Sequence, residues 1–180
     1  MRNEHLPDIE QTDIKQGTGI SSNILNRLTQ RRFKPDDLSF LTRLYGALRE
    51  PELRHAAMSP AQKTEFVAMQ FQAQQHHYTN HYSTEHFNII ELSGLPIGRL
   101  FVDFWPSEIR IVDIALMPEY RNQGIGAHLL SELLHSGKAR NVPVSIHVER
   151  HNPARHLYER LGFVHKSDFD EVYLLMEWRP

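Results

Sequence analysis

A helix that starts on two glycines is the feature that most constrains this chain. The segment PEYRNQGIGAHLL, residues 118–130, follows EIRIVDIALM, a run typical of a strand, and opens an apolar pattern at helical spacing. Glycine is among the poorest helix formers, so helix propensity does not explain Gly124 and Gly126 at this position. The first turn of a helix carries unpaired N–H groups and a partial positive charge, and glycines let a ligand approach the main chain closely. The segment therefore predicts a phosphate or pyrophosphate site, to which Arg121 can add a charged contact.

Two other kinds of phosphate loop do not match this segment. The GxxxxGK[ST] pattern of P-loop proteins is absent, and no lysine or Mg²⁺-binding Ser/Thr follows the glycines, which disfavours nucleotide-phosphate binding. A full GxGxxG after the first strand of the unit is also absent, so a Rossmann dinucleotide site is unsupported. Short glycine patterns also occur by chance, so a second motif is needed to identify the ligand of this predicted site.

Hydrophobic periodicity predicts the element order β-α-α-β-β-β-α-β-α-β-β. The first strand is expected over Ile24–Phe33, and a later helix is expected to start with Ser59 as its N-cap and Pro60 at its first position. The glycine helix is expected to end near Gly137, and a short helix to start at Pro153. The strands on either side of the glycine helix should pair in parallel through a right-handed crossover. We therefore expect the α/β (α+β) class, with a mixed, mostly antiparallel sheet and helices on both faces.

Length and composition narrow the class of protein. The 180 residues suit one domain, and a formal net charge of -2 gives no sign of nucleic-acid binding. The chain has no cysteine, which excludes disulfides and a thiolate nucleophile. The polar, acidic start is not a signal peptide, and no apolar run reaches the length of a membrane span. We expect a cytoplasmic protein with a polar N-terminal arm over residues 1–24, a domain over residues 25–180, and neither nucleic acid nor membrane as partner.

Two motifs in this order resemble the GNAT family, the GCN5-related N-acetyltransferases. The sequence RNQGIG, residues 121–126, resembles the family's acetyl-coenzyme A signature R/Q-x-x-G-x-G/A. The sequence NPARHLYERLGF, residues 152–163, resembles its other common signature, N-x-x-A-x-x-L-Y-x-x-x-G-F, with one residue fewer between the asparagine and the alanine. A predicted strand lies between them, and the resemblance covers roughly residue 25 to the C-terminus. It implies the GNAT fold, in which the central parallel pair of strands splays apart and coenzyme A lies in the opening.

The resemblance also implies which residues bind the cosubstrate. The pyrophosphate would accept hydrogen bonds from the main chain of the glycine loop, and pantetheine would run beside residues 114–117. Asn152 matches a position that commonly contacts coenzyme A. The cosubstrate-binding residues implied in this way are Leu116, Met117, Arg121, Gln123, Gly124, Ile125, Gly126, Ala127 and Asn152. The Leu116 N–H would also donate to the thioester oxygen and to the oxyanion that forms from it.

The family transfers the acetyl group directly to an amine, so orientation accounts for much of the rate. Tyr158 matches the general acid that protonates the leaving thiolate, although its helical spacing also suits a core tyrosine. The sequence does not identify which residue is the general base. His147 stands five residues before Asn152, where ribosomal-protein N-terminal acetyltransferases carry a glutamate, and a neutral imidazole can accept a proton. Glu149, Asp113 and Glu108 are rivals, and Asp113, in an apolar run, is somewhat better explained as a structural hydrogen-bond acceptor.

The acceptor is not identified by any motif. We expect a small-molecule amine or a peptide acceptor, no bound metal, and leave a homodimer open. The pair His77 and His81 has metal-ligand spacing, but no carboxylate completes a site. The leading hypothesis is an acetyl-coenzyme A-dependent N-acetyltransferase that acts on a primary amine of a small molecule or a protein N-terminus. Its main rival is a catalytically inactive coenzyme A-binding module that acts as a sensor or interaction subunit, against which Tyr158 argues.

Overall fold

The computed structural model describes residues 22–180, with helices and strands in nearly the expected order. The helices are α1 Ser22–Leu25, α2 Leu38–Leu53, α3 Pro60–His81, α4 Ile125–Arg140 and α5 Arg155–Arg160. The strands are β1 Leu28–Arg32, β2 His86–Leu92, β3 Leu95–Phe104, β4 Ile109–Leu116, β5 Val144–Glu149, β6 Val164–Asp168 and β7 Tyr173–Trp178. Short 3-10 turns over Pro35–Asp37 and Pro118–Tyr120 precede α2 and α4. Most of the predicted arm, residues 1–21, lies outside the described residues.

The first predicted strand is wrong in its N-terminal part. Residues 22–25 form a helical turn, closed by hydrogen bonds from Asn26 N to Ser22 O and from Arg27 N to Ile24 O, both 3.1 Å. Ile24 and Leu25 are neighbours in sequence, yet both pack against the same core. A strand would point them to opposite faces of the sheet, whereas a helical turn lets both face inward. The strand therefore begins only at Leu28.

The strands form one sheet in the order β1-β2-β3-β4-β5-β7-β6. Neighbours pair antiparallel throughout, except for β4 and β5, which flank the glycine helix and pair in parallel. This confirms the predicted mixed, mostly antiparallel sheet with one parallel pair. Helices cover both faces, since α4 and α5 pack on one side and α2 and α3 on the other.

The parallel pair separates soon after it forms. Only three residue pairs join β4 to β5, from Ile109–Val144 to Ile111–Ile146. Beyond that point β4 continues to Leu116 and β5 to Glu149, without partners in each other. The two strands therefore leave a gap at their C-terminal ends, directly before the glycine loop. We call this opening the gap; it is the splayed pair that the resemblance implies.

Each face of the sheet has its own apolar core. Alternate residues of β4 and β5, such as Ile111 and Ile146, pack under α4 and α5 together with Leu129, Leu130 and Tyr158. On the other face, Phe87, Ile89 and Phe101 pack under α2 and α3. The polar residues of β5, Ser145, His147 and Glu149, alternate with the first core and therefore lie on the α2/α3 face.

A bulge in β4 changes which residues face each core. Phe101 pairs with Asp113 and Val102 with Ile111, so Val112 is an extra residue on β4. Ile109 and Ile111 face α4 before the bulge, and Ile114 and Leu116 do so after it. Asp113 is thereby placed on the α2/α3 face, although strict alternation from Ile111 would turn it into the apolar core under α4.

Helix ends follow local side-chain chemistry, with two corrections. The start of α3 is confirmed, because Ser59 N donates to Gln62 Oε1 at 2.8 Å and Gln62 N donates to Ser59 Oγ at 3.3 Å. Helix α4 runs past Gly137 to Arg140: a Cβ on Gly137 would lie 2.8 Å from Val144 Cγ2, so this glycine serves close helix–strand packing. Helix α5 begins at Arg155 rather than at Pro153. Within residues 22–180, no helix combines the length and apolar character needed to cross a membrane.

Candidate active site

The glycine loop presents a row of unpaired main-chain donors. Asn122 and Gly124 adopt left-handed conformations, with φ of 58° and 83°, which turn the chain sharply into α4. The first hydrogen bond of the helix is donated by His128 N to Gly124 O at 3.0 Å. The N–H groups of Gln123 to Ala127 therefore have no partner among the described residues. A Cβ on Gly126 would meet only Leu157 Cδ2, at 3.4 Å, so space remains over this turn.

Arg121 holds the loop against the end of β4. Its Nε donates to the Leu116 carbonyl at 2.9 Å, while the side chain is otherwise exposed. One function of Arg121 is therefore to fix the strand-to-loop geometry. Its two terminal nitrogens remain without partners among residues 22–180 and can still contact an anion at the loop. The Gln123 side chain also forms a hydrogen bond within the loop, since its Nε2 donates to Glu119 O at 2.7 Å.

The Leu116 N–H points into the gap. Met117 N donates to Ile97 O at 2.8 Å, and Leu116 stands opposite Gly98 in the antiparallel ladder. Main-chain groups of successive residues point to opposite sides of a strand, so those of Leu116 face away from β3. Because β5 has already diverged, the N–H of Leu116 has no strand partner. The structure thus exposes the donor to which the resemblance assigns oxyanion binding.

Tyr158 is buried beside the gap. Its residue is 4% exposed, and its ring lies against Phe163 with the centroids 5.8 Å apart. Burial, and then the negative charge of Asp113, raises the pKa of Tyr158, so the phenol keeps its proton at neutral pH. No hydrogen bond within residues 22–180 engages the hydroxyl. A buried, protonated and unengaged phenol is able to donate a proton or a hydrogen bond to a ligand.

Asn152 positions the helix that carries Tyr158. Its Oδ1 accepts a hydrogen bond from Ala154 N at 2.9 Å, and its carbonyl accepts one from Arg155 N at 3.1 Å. The N–H groups of Arg155 and His156 bond three residues back, to Asn152 O and Pro153 O, so residues 153–154 form a tight turn and the regular helix begins only at Arg155. Asn152 is itself exposed, so its side-chain amide remains accessible to a ligand.

Asp113 is held in a buried polar cluster under α3. Its Oδ2 accepts hydrogen bonds from Arg99 Nη2 at 2.6 Å and from Tyr78 Oη at 2.9 Å. Arg99 is only 1% exposed and also donates to Gln74 Oε1 at 2.9 Å. The carboxylate is therefore engaged by a permanent cation and a phenol. Both contacts fall on Oδ2, and the carboxylate compensates the buried charge of Arg99, which suits the structural acceptor better than the general base.

His147 lies on the α2/α3 face, where its ring contacts Arg110. Arg110 Nη1 is 3.0 Å from His147 Nδ1, and its Nε and Nη2 donate to Glu108 Oε1 at 3.2 and 2.7 Å. Burial and the charge of Arg110 lower the pKa of His147, so the imidazole is neutral at pH 7. Nη1 also lies 3.4 Å from Nε2; because a guanidinium can only donate, the nearer ring nitrogen, Nδ1, is the better placed to be the unprotonated acceptor. The lone pair that a general base needs is thus occupied until Arg110 moves.

Glu149 lies further along β5 and has a free oxygen. Its Oε1 is 3.4 Å from Arg49 Nη2 and accepts a hydrogen bond from Tyr173 Oη at 3.3 Å. Both contacts fall on Oε1, which leaves Oε2 without a partner among the described residues. Burial, and then the charge of Glu149, raises the pKa of Tyr173, which therefore stays a donor. Sequence reasoning missed Arg49 and Tyr173, since neither stands in a motif and both meet Glu149 only through the sheet and α2.

The histidine-rich end of α3 forms no metal site in the described part of the chain. The His77 and His81 rings stack with their centroids 4.3 Å apart, and His81 Nδ1 lies 2.8 Å from His77 O. Within residues 22–180, no three His, Asp or Glu side chains come close enough to hold a metal ion.

Comparison with known proteins agrees with this geometry. The sequence profile of the acetyltransferase (GNAT) family matches residues 50–163. No curated protein sequence matches the chain. Several solved structures share the fold at low identity. The PaiA N-acetyltransferase of Thermoplasma acidophilum, crystallised with coenzyme A, is 18% identical with a TM-score of 0.63, over 85% of this chain and 99% of that one.

Two further structures have the same architecture. An acetyltransferase from Thermus thermophilus is 17% identical with a TM-score of 0.61, over 85% of this chain and 97% of its own. The ribosomal-protein-S18-alanine N-acetyltransferase of Escherichia coli is 19% identical with a TM-score of 0.54, over 84% of this chain and 93% of its own. At such identities these structures support the fold, and the family profile, which spans more than half of the chain, settles the family. The chain belongs to the GNAT family and is an N-acetyltransferase that uses acetyl-coenzyme A.

Proposed function

We propose that the protein transfers the acetyl group of acetyl-coenzyme A directly to a primary amine of a small molecule or a protein N-terminus. One observation carries this proposal: unpaired main-chain donors lie beside the gap, in the loop from Gln123 to Ala127 and at Leu116. The loop donors suit a pyrophosphate, and the open space over Gly126 allows its approach. Two of the similar structures are themselves described as N-acetyltransferases, one of them with coenzyme A.

The gap supplies the groups that the reaction needs. The amine nitrogen attacks the thioester carbon, and the Leu116 N–H donates to the carbonyl oxygen as negative charge develops on it. The carbon–sulfur bond then breaks, and Tyr158 gives its proton to the leaving thiolate. The raised pKa of Tyr158 ensures that this proton is present at neutral pH. Arg121, Met117 and Asn152 complete the cosubstrate contacts, through the guanidinium, the main chain and the side-chain amide.

A base removes the proton of the attacking amine. Asp113 compensates Arg99, and both oxygens of Glu108 accept hydrogen bonds, from Arg110 and Ser145, so His147 and Glu149 on β5 are the better candidates. His147 holds the motif position and its lowered pKa keeps it neutral, but Arg110 must first release Nδ1. Glu149 has the free oxygen Oε2 on the same face of the strand. The two differ in their pH dependence, because a carboxylate is already ionised well below the pH at which an imidazole loses its proton.

Gly126→Glu tests the cosubstrate site. The added side chain meets no protein atom closer than 3.4 Å at its Cβ, so the fold should tolerate it, but its charge lies where the pyrophosphate binds. We expect acetyl-coenzyme A affinity to fall by about 3 kcal/mol, roughly 150-fold, as measured by calorimetry. Gly126→Gln is the matched control with the same volume and no charge, and it should bind more tightly than the glutamate variant. Unchanged affinity in Gly126→Glu would remove the pyrophosphate assignment.

A further inference from the structure

The carboxylates on the α2/α3 face of β4 and β5 are all neutralised by arginines. Three carboxylate–arginine pairs line this face, Glu108–Arg110 at 2.7 Å, Asp113–Arg99 at 2.6 Å and Glu149–Arg49 at 3.4 Å. A cosubstrate on the glycine loop occupies the α4 side of the gap, so the amine must arrive from this opposite face. The surface that receives the acceptor is thus polar, with charges that cancel in pairs.

The third pair differs from the other two in how firmly it is held. The side chains of Arg99 and Asp113 are 1% and 14% exposed, and their contact is short. Arg49 and Glu149 are 29% and 35% exposed, and their contact is at the long end for an ion pair. A half-buried ion pair of this length contributes little to stability, so it can be opened at small cost.

Both members of this pair retain capacity for a ligand. Arg49 also contacts Glu52, at 3.0 Å, whose side chain is 64% exposed and therefore weakly bound, and its guanidinium lies over the Tyr45 ring, 5.6 Å from the ring centroid. Glu149 keeps Oε2 free, while Tyr173 holds Oε1 in place. Arg49 thus offers a planar pair of donors, and Glu149 offers an acceptor, side by side at the end of β5.

We propose that Arg49 and Glu149 recognise the acceptor and that this acceptor is a free α-amino acid, whose carboxylate binds Arg49 and whose ammonium binds Glu149. The inference rests on the proposed acetyl transfer. A zwitterion inserted between the two residues gives each a new partner of opposite charge, so no charge is left unpaired. A polyamine brings only positive charge to a face whose carboxylates are already neutralised. A peptide N-terminus lacks the carboxylate that Arg49 would bind.

Matched acceptors test the proposal. Pools of free L-amino acids are compared with the corresponding amino-acid amides, which mimic a peptide N-terminus, and with spermidine. Coenzyme A release is followed with a thiol reagent, which meets no background from this chain because it has no cysteine. We expect kcat/KM for at least one amino acid to exceed that for its amide by ~10-fold or more, the size of a lost charged hydrogen bond. In Arg49→Gln, the ratio of kcat/KM for the amino acid to kcat/KM for its amide should fall to about 1. Arg49→Lys should retain part of the preference. Arg43→Gln, on the exposed side of the same helix, should leave the ratio unchanged.

The outcomes separate this inference from the proposed function. Three results would overturn the inference and leave acetyl transfer intact: equal kcat/KM for amino acids and their amides, a higher kcat/KM for spermidine, or an amino-acid preference that persists in Arg49→Gln. Calorimetry with the amino-acid pools on protein saturated with coenzyme A gives a second readout. Binding that depends on Arg49, without any transfer, supports the recognition site and counts against the proposed function alone.

Discussion

Gly98→Ala should damage catalysis because of where the added methyl group would lie. Gly98 stands opposite Leu116, and a Cβ there would be 2.3 Å from Ala115 O, 2.7 Å from Leu116 Cδ2 and 3.2 Å from Leu116 Cα. To reach even a 3.0 Å contact with Ala115 O, β4 must move by about 0.7 Å (3.0 minus 2.3). The displaced segment includes Leu116, whose N–H we propose as the donor to the thioester oxygen.

The expected changes in Tm and kcat of Gly98→Ala follow from that displacement of β4. Overpacking of this kind costs about 1–3 kcal/mol, which lowers Tm by roughly 2–12 °C for a domain of this size. A misplacement of about 1 Å near the reacting atoms can cost ~100-fold in rate, so a shift of this order should lower kcat by about tenfold. Differential scanning calorimetry gives Tm, and coenzyme A release with any accepted amine gives kcat.

Gly94→Ala separates stability from catalysis in this test. Gly94 lies in the β2–β3 turn with φ of 78°, and nothing stands within 4 Å of its Cβ position. Alanine there carries only backbone strain, about 1–2 kcal/mol, and should lower Tm while kcat is unchanged. A Gly98→Ala variant with wild-type kcat would refute the argument that β4 geometry at Leu116 controls the rate, whatever its Tm.

Three other substitutions test the assigned roles. Tyr158→Phe should lower kcat by ~10²–10³-fold with little change in acetyl-coenzyme A affinity, and full activity would make it a core residue only. His147→Gln should make Tm less sensitive to acidification below about pH 6.5, because a histidine with a lowered pKa stabilises the fold at higher pH and loses this contribution as pH falls. If His147 is the base, that variant loses ~10-fold in kcat/KM at pH 7, partly recovered at high pH; if the loss instead appears in Glu149→Gln, the base is Glu149. Asp113→Asn should lower Tm by about 10 °C, since it leaves Arg99 buried with less compensation, and an unchanged Tm would contradict the structural role.

The sequence predicted what local chemistry determines. Apolar spacing located the helices and strands, and the pair of glycines after β4 marked the start of α4. The capping box at Ser59 fixed the start of α3. The turn at residues 22–25 was missed because Ile24 and Leu25 suit a strand equally well by composition, and only their packing on one core decides for a helical turn.

Contacts between distant residues could not be predicted in the same way. The partners of Asp113 and His147 lie on other elements, so their identity depends on the register of the sheet. That register includes the bulge residue Val112, and no glycine or turn residue in the sequence indicates a bulge there. Arg49 reaches Glu149 from α2 across 100 positions of sequence. The candidate cosubstrate site, built from consecutive main-chain groups, was readable from a motif, whereas the acceptor side, built from such long-range pairs, was not.

The short parallel pairing gives the sheet a seam. Strands β1–β4 form one plate and β5, β7 and β6 another, and only three residue pairs join the two along their edges. Under the proposed binding mode, acetyl-coenzyme A in the gap takes the place of the missing strand contact and bridges both halves of the sheet. Separation of β4 from β5 then also requires loss of the ligand, so the free energy of separation rises with the logarithm of ligand concentration. Amide hydrogen exchange should therefore slow along β5 and β7, at positions that the ligand never touches.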